Sequence, residues 1–278
     1  MWECPDFFSL DGKQVLVVSP MEMMPEGLKF HVGHGTIYLT GTYDKNSHAF
    51  TREDVQPLDS GIDFYAPQTM KAPDGRRIMI AWMQAWSNSK FVPDGVKYFG
   101  QMTVPRELTL KDNRLIQKPV RELEAYRSGR ICHEKGKNEQ KRPLWKEFTG
   151  RVIDMTVKLK ADDNFREFCM KVAQNEDYYT SVSYDIHRKV LCVDRSHSGY
   201  LYDIMHRREI AVEPVDGMIT LRCLMDRFSL EIFINGGRQT ASFTLYTPQN
   251  AEGITFAAEG EAEISVEKYT LSFLTEYR

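Results

Sequence analysis

The feature that most constrains the fold is a series of short, strand-like apolar runs separated by turn signals. The run Gln14–Ser19 follows the turn Asp11-Gly12, and the run Arg77–Met83 follows Asp74-Gly75. Such runs, rich in β-branched residues and bounded by glycine and aspartate, are typical of strands in hairpins. No long helical period interrupts the series in the first half of the chain. Many short antiparallel strands at near-regular spacing predict a β-sandwich or a β-propeller.

The pattern changes character near residue 117. Val120, Leu123 and Tyr126 are spaced three residues apart behind Pro119, which predicts a short helix or helical turn within residues 117–127. The following stretch to residue 147 is rich in Lys, Glu, Gly and Asn, as solvated connectors are. We therefore expect a first domain over 1–120, a helical and charged linker over 121–147, and a second domain over 148–278.

The second half of the sequence again has the period of β-strands. Arg151–Leu159 and Phe165–Val172 alternate between apolar and polar residues, and the turn Asn235-Gly236-Gly237 joins Phe228–Ile234 to Thr240–Tyr246. Alternation of this kind puts one side of each strand in a core and the other in solvent. A two-sheet β-sandwich accounts for it best.

Composition excludes several classes of function. Over 278 residues the net charge is −3, with 42% hydrophobic and 27% charged residues, so neither a nucleic-acid partner nor a membrane surface is indicated. No apolar run approaches the roughly 20 residues that cross a bilayer, and no signal peptide is visible. The five cysteines are scattered and odd in number, which predicts a reduced, cytoplasmic protein. The seven histidines show no metal-ligand spacing, so no metal site is expected.

Glu3 is the first candidate for chemistry. It stands between Trp2 and the pair Phe7-Phe8 and is followed by Cys4. Apolar surroundings strip water from a charged carboxylate and favour the protonated acid, which can give its proton to a leaving oxygen. The competing interpretation is an ordinary glutamate near a chain terminus. We expect Cys4 to lie beside the proposed pocket as a free thiol.

Asp63 and Tyr65 form the second candidate group. They are two residues apart, so on a strand their side chains would face the same way. A carboxylate beside a phenol can hold the hydroxyl groups of a sugar ring. A turn-capping aspartate and a core tyrosine would explain the two residues equally well.

Several strings together resemble glycoside hydrolase family 32, the β-fructofuranosidases. Trp2–Phe8 resembles the Glu-Cys motif of that family, and Ser60–Thr69 resembles its Gly-x-Asp-Phe-Tyr-Ala segment. Met102–Leu108 resembles its Pro-Arg-Glu-Leu segment, and Asp226–Gly237 resembles the signature of its C-terminal sandwich. The resemblance spans nearly the whole chain in the right order. It implies an all-β fold, namely part of a five-bladed β-propeller followed by a β-sandwich.

The resemblance also implies a chemistry. Glu3 would be the general acid/base of a retaining β-fructosidase, with Tyr65 near it and Trp86 lining the sugar pocket. Cys4, Asp63 and Tyr65 would also contact the substrate, whereas Trp82 is expected in the core. The substrate would be a fructoside such as sucrose, sucrose 6-phosphate or a fructan, and no metal or organic cofactor is implied.

One departure from the family pattern matters as much as the match. The family carries an Asp-Pro-Asn-Gly segment with the nucleophile and an Arg-Asp-Pro segment with a further carboxylate, and neither occurs here. At about 40 residues each, residues 1–120 would hold about three blades, with the first two lacking. Two hypotheses follow. The chain is either part of a truncated or split β-fructosidase that forms a homodimer or needs a complementing N-terminal fragment, or a non-catalytic carbohydrate-binding or scaffold fragment.

Overall fold

The computed structural model describes residues 1–31, 33–84, 86, 100–135, 145, 147–161, 165–199 and 204–273. Their regular structure consists of antiparallel strands and short 3₁₀ segments, which confirms the predicted all-β class. No helix in these ranges is both long and apolar enough to cross a membrane. The chain forms two compact units, Met1–Val120 with Gly236–Phe243, and Arg121–Asn235 with Thr244–Arg278.

The first unit contains two four-stranded antiparallel sheets, in the spatial orders β1-β2-β3-β4 and β5-β6-β7-β8. Each sheet is a simple meander, as in a propeller blade. The strands are β1 Trp2–Leu10, β2 Lys13–Pro20, β3 Ile37–Asp44, β4 Ala49–Pro57, β5 Tyr65–Lys71, β6 Arg77–Trp82, β7 Arg106–Lys111 and β8 Arg114–Pro119.

The described part of the chain thus holds two such sheets where the sequence predicted about three blades. The reason lies in the connections, because residues 21–36 separate β2 from β3 and residues 83–105 separate β6 from β7. Each sheet therefore takes up well over the 40 residues assumed from the spacing of repeats. One core cluster draws side chains from both sheets, among them Phe8, Val17, Tyr38, Met79 and Leu108.

A fully buried ion pair stands next to this core. The guanidinium of Arg106 donates to Oδ2 of Asp59 at 3.0 Å, and neither side chain has any exposed surface. Arg106 also donates to Gln117 Oε1 at 2.9 Å, Thr240 Oγ1 at 3.2 Å and Ser242 Oγ at 2.7 Å. Asp59 in turn accepts from the backbone amide of Ser242 at 2.9 Å. These bonds fasten the segment Gly236–Phe243 into the first unit.

The second unit contains two antiparallel sheets whose strands alternate between buried and half-exposed residues, as in a sandwich. On β10, for example, Met155, Val157 and Leu159 are buried. Within this unit, the strands of the first sheet follow the order β16-β15-β10-β19-β9, with β9 Arg127–Lys135, β10 Ile153–Ala161, β15 Met218–Asp226, β16 Ser229–Ile234 and β19 Ala262–Leu271.

The second sheet of this unit has five strands. On its strand Glu167–Gln174, Phe168, Met170 and Val172 are buried. The order is β14-β13-β12-β11-β18, with β11 Glu167–Gln174, β12 Thr180–Asp185, β13 Val190–Asp194, β14 Arg207–Ala211 and β18 Gly253–Glu259. A further strand, β17, is Gln239–Thr244.

The structure corrects the expectation of a linker over 121–147. Among the described residues of this stretch only Arg121–Tyr126 is helical, as a single 3₁₀ segment, and β9 follows it at once. In the part of the chain that the structure describes, this strand pairs with β19 alone, so it is an edge strand. Charged residues protect an edge strand from pairing with other chains, and this explains why the stretch resembles a connector in sequence. Of the later linker, residues 136–144 and 146 lie outside the described residues.

Candidate active site

Glu3 lies at a break in the regular pairing of β1 with β2. It pairs with Ser19, but the register shifts between Glu3 and Asp6, which is the mark of a β-bulge. Cys4 occupies the bulge with a φ of 49°, in the left-handed region that few non-glycine residues adopt. Bulges re-aim side chains, and they are frequent beside active sites.

Tyr65 meets Glu3 from the other sheet of the same unit. Its hydroxyl donates to Glu3 Oε2 at 2.9 Å and lies 3.2 Å from the carbonyl oxygen of Ser19. Burial raises the pKa of the Tyr65 phenol, and the hydrogen bond to Glu3 raises it further. The phenol is therefore a neutral donor over the physiological range. The pairing of β5 with β6 also shifts register directly after Tyr65, so both partners stand at irregular positions.

Further bonds join the two bulged strands. Gln68 Nε2 donates to the Cys4 carbonyl oxygen at 3.3 Å. Asp6 Oδ2 accepts from the backbone amide of Thr69 at 2.8 Å and from its hydroxyl at 2.6 Å. Asp6 therefore serves to hold β1 against β5.

A row of aromatic rings extends from Tyr65. Trp82 stands edge-to-face to Tyr65 with ring centroids 6.5 Å apart, and Trp86 stands edge-to-face to Trp82 at 5.3 Å. Trp86 is 52% exposed, whereas Trp82 is half-buried and so is not the core residue that the sequence predicted. His34 approaches Tyr65 edge-to-face from another direction, at 5.9 Å. The exposed Trp86 ring, with the partly buried Trp82 beside it, offers the kind of surface on which a sugar ring can stack.

Cys4 and Asp63 are the other two residues that the sequence assigned to the site. Cys4 is exposed, and like the other four cysteines it forms no disulfide. Asp63 has no exposed surface, and it precedes β5 in a bend, so the argument that it shares a strand face with Tyr65 does not hold. Its backbone amide donates to the Ser242 carbonyl oxygen at 3.0 Å. Its role as a substrate contact stays a prediction.

The aromatic residues expected to surround Glu3, namely Trp2, Phe7 and Phe8, are engaged elsewhere or exposed. Phe7 packs against Tyr43 and Phe50, with centroids 5.5 and 5.6 Å away. Phe8 belongs to the core, and Trp2 is 59% exposed. The contact that defines the surroundings of Glu3 is therefore the Tyr65 phenol.

Comparison with known protein families identifies the family of this chain. The family described as "Glycosyl hydrolases family 32 N-terminal domain" matches residues 1–119, and the one described as "Glycosyl hydrolases family 32 C terminal" matches residues 122–272. The chain belongs to glycosyl hydrolase family 32. The propeller-and-sandwich fold of that family accounts for both units.

Curated relatives agree with membership of family 32. A sucrose-6-phosphate hydrolase of Staphylococcus xylosus is 30% identical over 282 residues, an alignment covering 98% of this chain and 54% of that protein. A raffinose invertase of Escherichia coli is 32% identical over 276 residues, covering 94% of this chain and 53% of that protein. The chain spans about half the length of the curated relatives it matches.

Solved structures of family 32 show the same fold. An exo-inulinase from Aspergillus awamori superimposes with a TM-score of 0.82 at 21% identity, covering 98% of this chain and 57% of that one. A β-fructofuranosidase from Bombyx mori gives a TM-score of 0.75 at 26% identity, covering 98% and 54%. Among the described residues of this family 32 chain, no group of three or more His, Cys, Asp or Glu could hold a metal ion.

Sequence reasoning missed two residues of this site, Ser19 and His34. Ser19 ends the apolar run of β2, and its only signal is a hydroxyl at a position that the strand pattern marks as buried. His34 lies in the connection between β2 and β3, where residue spacing carries no structural period. Their proximity to Tyr65 is a property of the folded unit, and the family 32 strings do not include them.

Proposed function

We propose that this chain is the part of a β-fructofuranosidase that carries the general acid/base, Glu3. The single observation that carries the proposal is the 2.9 Å hydrogen bond from Tyr65 to Glu3, beside the Trp82–Trp86 aromatic row. Substrates would be sucrose, sucrose 6-phosphate or a short fructan. Family membership supports the glycosidase class, and the names of the curated relatives support these sugars.

The arrangement around Glu3 suits a carboxyl that both gives and takes a proton. Oε2 accepts the bond from Tyr65, which leaves Oε1 to carry the proton. In the first step the Glu3 proton passes to the glycosidic oxygen as the bond to the fructosyl carbon breaks and a second carboxylate attacks that carbon. In the second step the Glu3 carboxylate takes a proton from water, whose oxygen replaces the nucleophile. The configuration of the fructosyl carbon is retained.

The reaction also needs a second carboxylate, which acts as the nucleophile. A retaining glycosidase holds its two carboxyl groups about 5–5.5 Å apart. Asp6 is committed to Thr69, and Asp63 is fully buried, so we assign the nucleophile to neither. A second copy of this chain would bring only the same carboxylates. We propose that a complementing polypeptide with the Asp-Pro-Asn-Gly and Arg-Asp-Pro segments supplies it.

The same observation favours a second candidate function. A chain whose neighbouring aspartates are engaged or buried can hold a fructoside without cleaving it. In that case Trp82 and Trp86, beside the buried Tyr65, would serve as a carbohydrate-binding surface. The two candidates differ in one measurable respect, namely whether the complemented chain releases fructose.

The test is a fructose-release assay on sucrose and sucrose 6-phosphate, with the chain alone and with the complementing polypeptide added. We expect little or no release from the chain alone, because removal of one member of a catalytic set costs orders of magnitude. With the polypeptide we expect turnover, and loss of at least about 100-fold on Glu3→Gln. Glu53→Gln is the matched control, because Glu53 lies in an exposed ion pair with Lys13.

Other outcomes identify the error. An inactive mixture, with sucrose bound by the chain in calorimetry, would favour the binding function. Full activity of the chain alone would mean that one of its own carboxylates is the nucleophile. An active mixture that tolerates Glu3→Gln would overturn the assignment of Glu3.

A further inference from the structure

We propose that Ser19 is the positioning residue of the Glu3–Tyr65 pair, an inference that rests on the proposed function of Glu3. Ser19 is fully buried at the end of β2 and cannot touch substrate. It acts through its backbone, which stands opposite Glu3 and contacts the Tyr65 hydroxyl, and through its own hydroxyl, which contacts the residue after Tyr65, Ala66.

The backbone of Ser19 links both partners. In the pairing of β1 with β2, Ser19 stands opposite Glu3, at the last regular pair before the bulge. Its carbonyl oxygen lies 3.2 Å from the Tyr65 hydroxyl, which donates to Glu3 at 2.9 Å. The Tyr65 hydroxyl is thus held next to the position in β1 from which the Glu3 side chain extends.

The hydroxyl of Ser19 holds the backbone that presents Tyr65. Ser19 Oγ accepts from the backbone amide of Ala66 at 3.0 Å. Ala66 has a φ of 51°, a left-handed conformation that is strained for a residue with a side chain and persists only where the surrounding structure holds it. This residue makes the bulge after Tyr65. Ser19 therefore stabilises the strained residue that fixes the direction of the phenol.

Thr36 completes the arrangement behind Ser19. The two hydroxyl oxygens are 3.2 Å apart, and Thr36 is only 3% exposed. Because Ser19 Oγ accepts from Ala66, its own proton is available to Thr36. In a water-poor interior such a chain of hydrogen bonds stiffens each member. The serine orientation is set by this chain and not by solvent.

The experiment measures the Glu3–Tyr65 contact without substrate. The chain is labelled with ¹³C-tyrosine, and the Cζ signal of Tyr65 is assigned from Tyr65→Phe. The readout is the change in the chemical shift of this signal that Glu3→Gln causes, called the displacement. It is measured in the wild-type background and again in the background of each further substitution. We expect Ser19→Ala to lose most of that displacement and Thr36→Val to lose a smaller share. A merely structural role would lower thermal stability and leave the displacement unchanged.

Thr40→Val is the matched control. Thr40 is a fully buried threonine of the same sheet, and its hydroxyl has no hydrogen-bond partner among the described residues. It should leave the displacement intact. An unchanged displacement in Ser19→Ala and Thr36→Val would overturn the proposal, and if Ser19→Ala does not fold, Thr36→Val decides alone. The readout is independent of fructose release, so failure of the positioning role and failure of the proposed function are distinguished.

Discussion

Arg106 and Asp59 form an ion pair of 3.0 Å with no exposed surface on either side chain. The pair lies among polar partners from β8 and from the segment Gly236–Phe243, and the Phe64 ring packs beneath the guanidinium at 5.0 Å. Arg106 is the arginine of the Pro-Arg-Glu-Leu string. Its role in this unit is therefore to hold the fold together.

Replacing Arg106 by Met should destabilise the first unit by about 3–5 kcal/mol, because Asp59 would remain as an uncompensated buried charge. Chemical denaturation measures this change. Lys13→Met is the control in the same unit, where the partly exposed pair with Glu53 should contribute at most about 1 kcal/mol. Equal effects from the two substitutions would contradict this account.

Gly61 lies close against the backbone of Ser242. A Cβ at Gly61 would stand 2.2 Å from both the backbone nitrogen and the carbonyl oxygen of Ser242. Gly61→Ala should therefore cost about 1–3 kcal/mol or more in the free energy of unfolding. Gly35→Ala is the control, since its Cβ would meet nothing closer than His31 at 3.7 Å. A thermal melt of Gly61→Ala that matched the control would disprove the close approach.

The five thiols should differ sharply in reactivity. Cys4 and Cys132 are exposed, whereas Cys223 is buried, and burial raises the pKa of its thiol to about 12. Because the thiolate is the reactive form, Cys4 and Cys132 should react first with a disulfide reagent at mild alkaline pH. Cys223 should react only after unfolding. All five should titrate in denaturant without reductant, and a shortfall would reveal a disulfide.

Tyr65 should make stability depend on alkaline pH. Burial and the bond to Glu3 raise its pKa above the value of about 10 expected in the unfolded chain. The contribution of Tyr65 to stability is thus fully present below about pH 10 and is lost as the pH rises towards the folded pKa. We expect the difference in unfolding free energy between the wild type and Tyr65→Phe to be constant near neutrality and to shrink above about pH 10. A difference that stayed constant at high pH would rule this out.

The fold class could be predicted because strand periodicity is local. Alternation in Arg151–Leu159 and Phe165–Val172 predicted strands that the structure contains as β10 and β11. The same reasoning failed at Arg127–Lys135, where the charges of an edge strand resemble those of a connector. It also failed at Asp63, because the strand begins two residues later, at Tyr65.

The sequence by itself determined the all-β class, membership of family 32, and the choice of Glu3 and Tyr65 as residues to examine. Only the tertiary structure decided that Glu3 and Tyr65 are hydrogen-bonded. The reason is that β1 and β5 each contain a bulge, and the alternation of apolar and polar residues does not predict either bulge. The tertiary structure also decided the contacts around this pair. Asp6 binds Thr69, Trp82 packs between Tyr65 and Trp86, and the carbonyl oxygen of Ser19 lies next to the Tyr65 hydroxyl. Hydrogen bonds and ring contacts between residues far apart in the chain depend on strand register, and register is set by the packing of the whole unit.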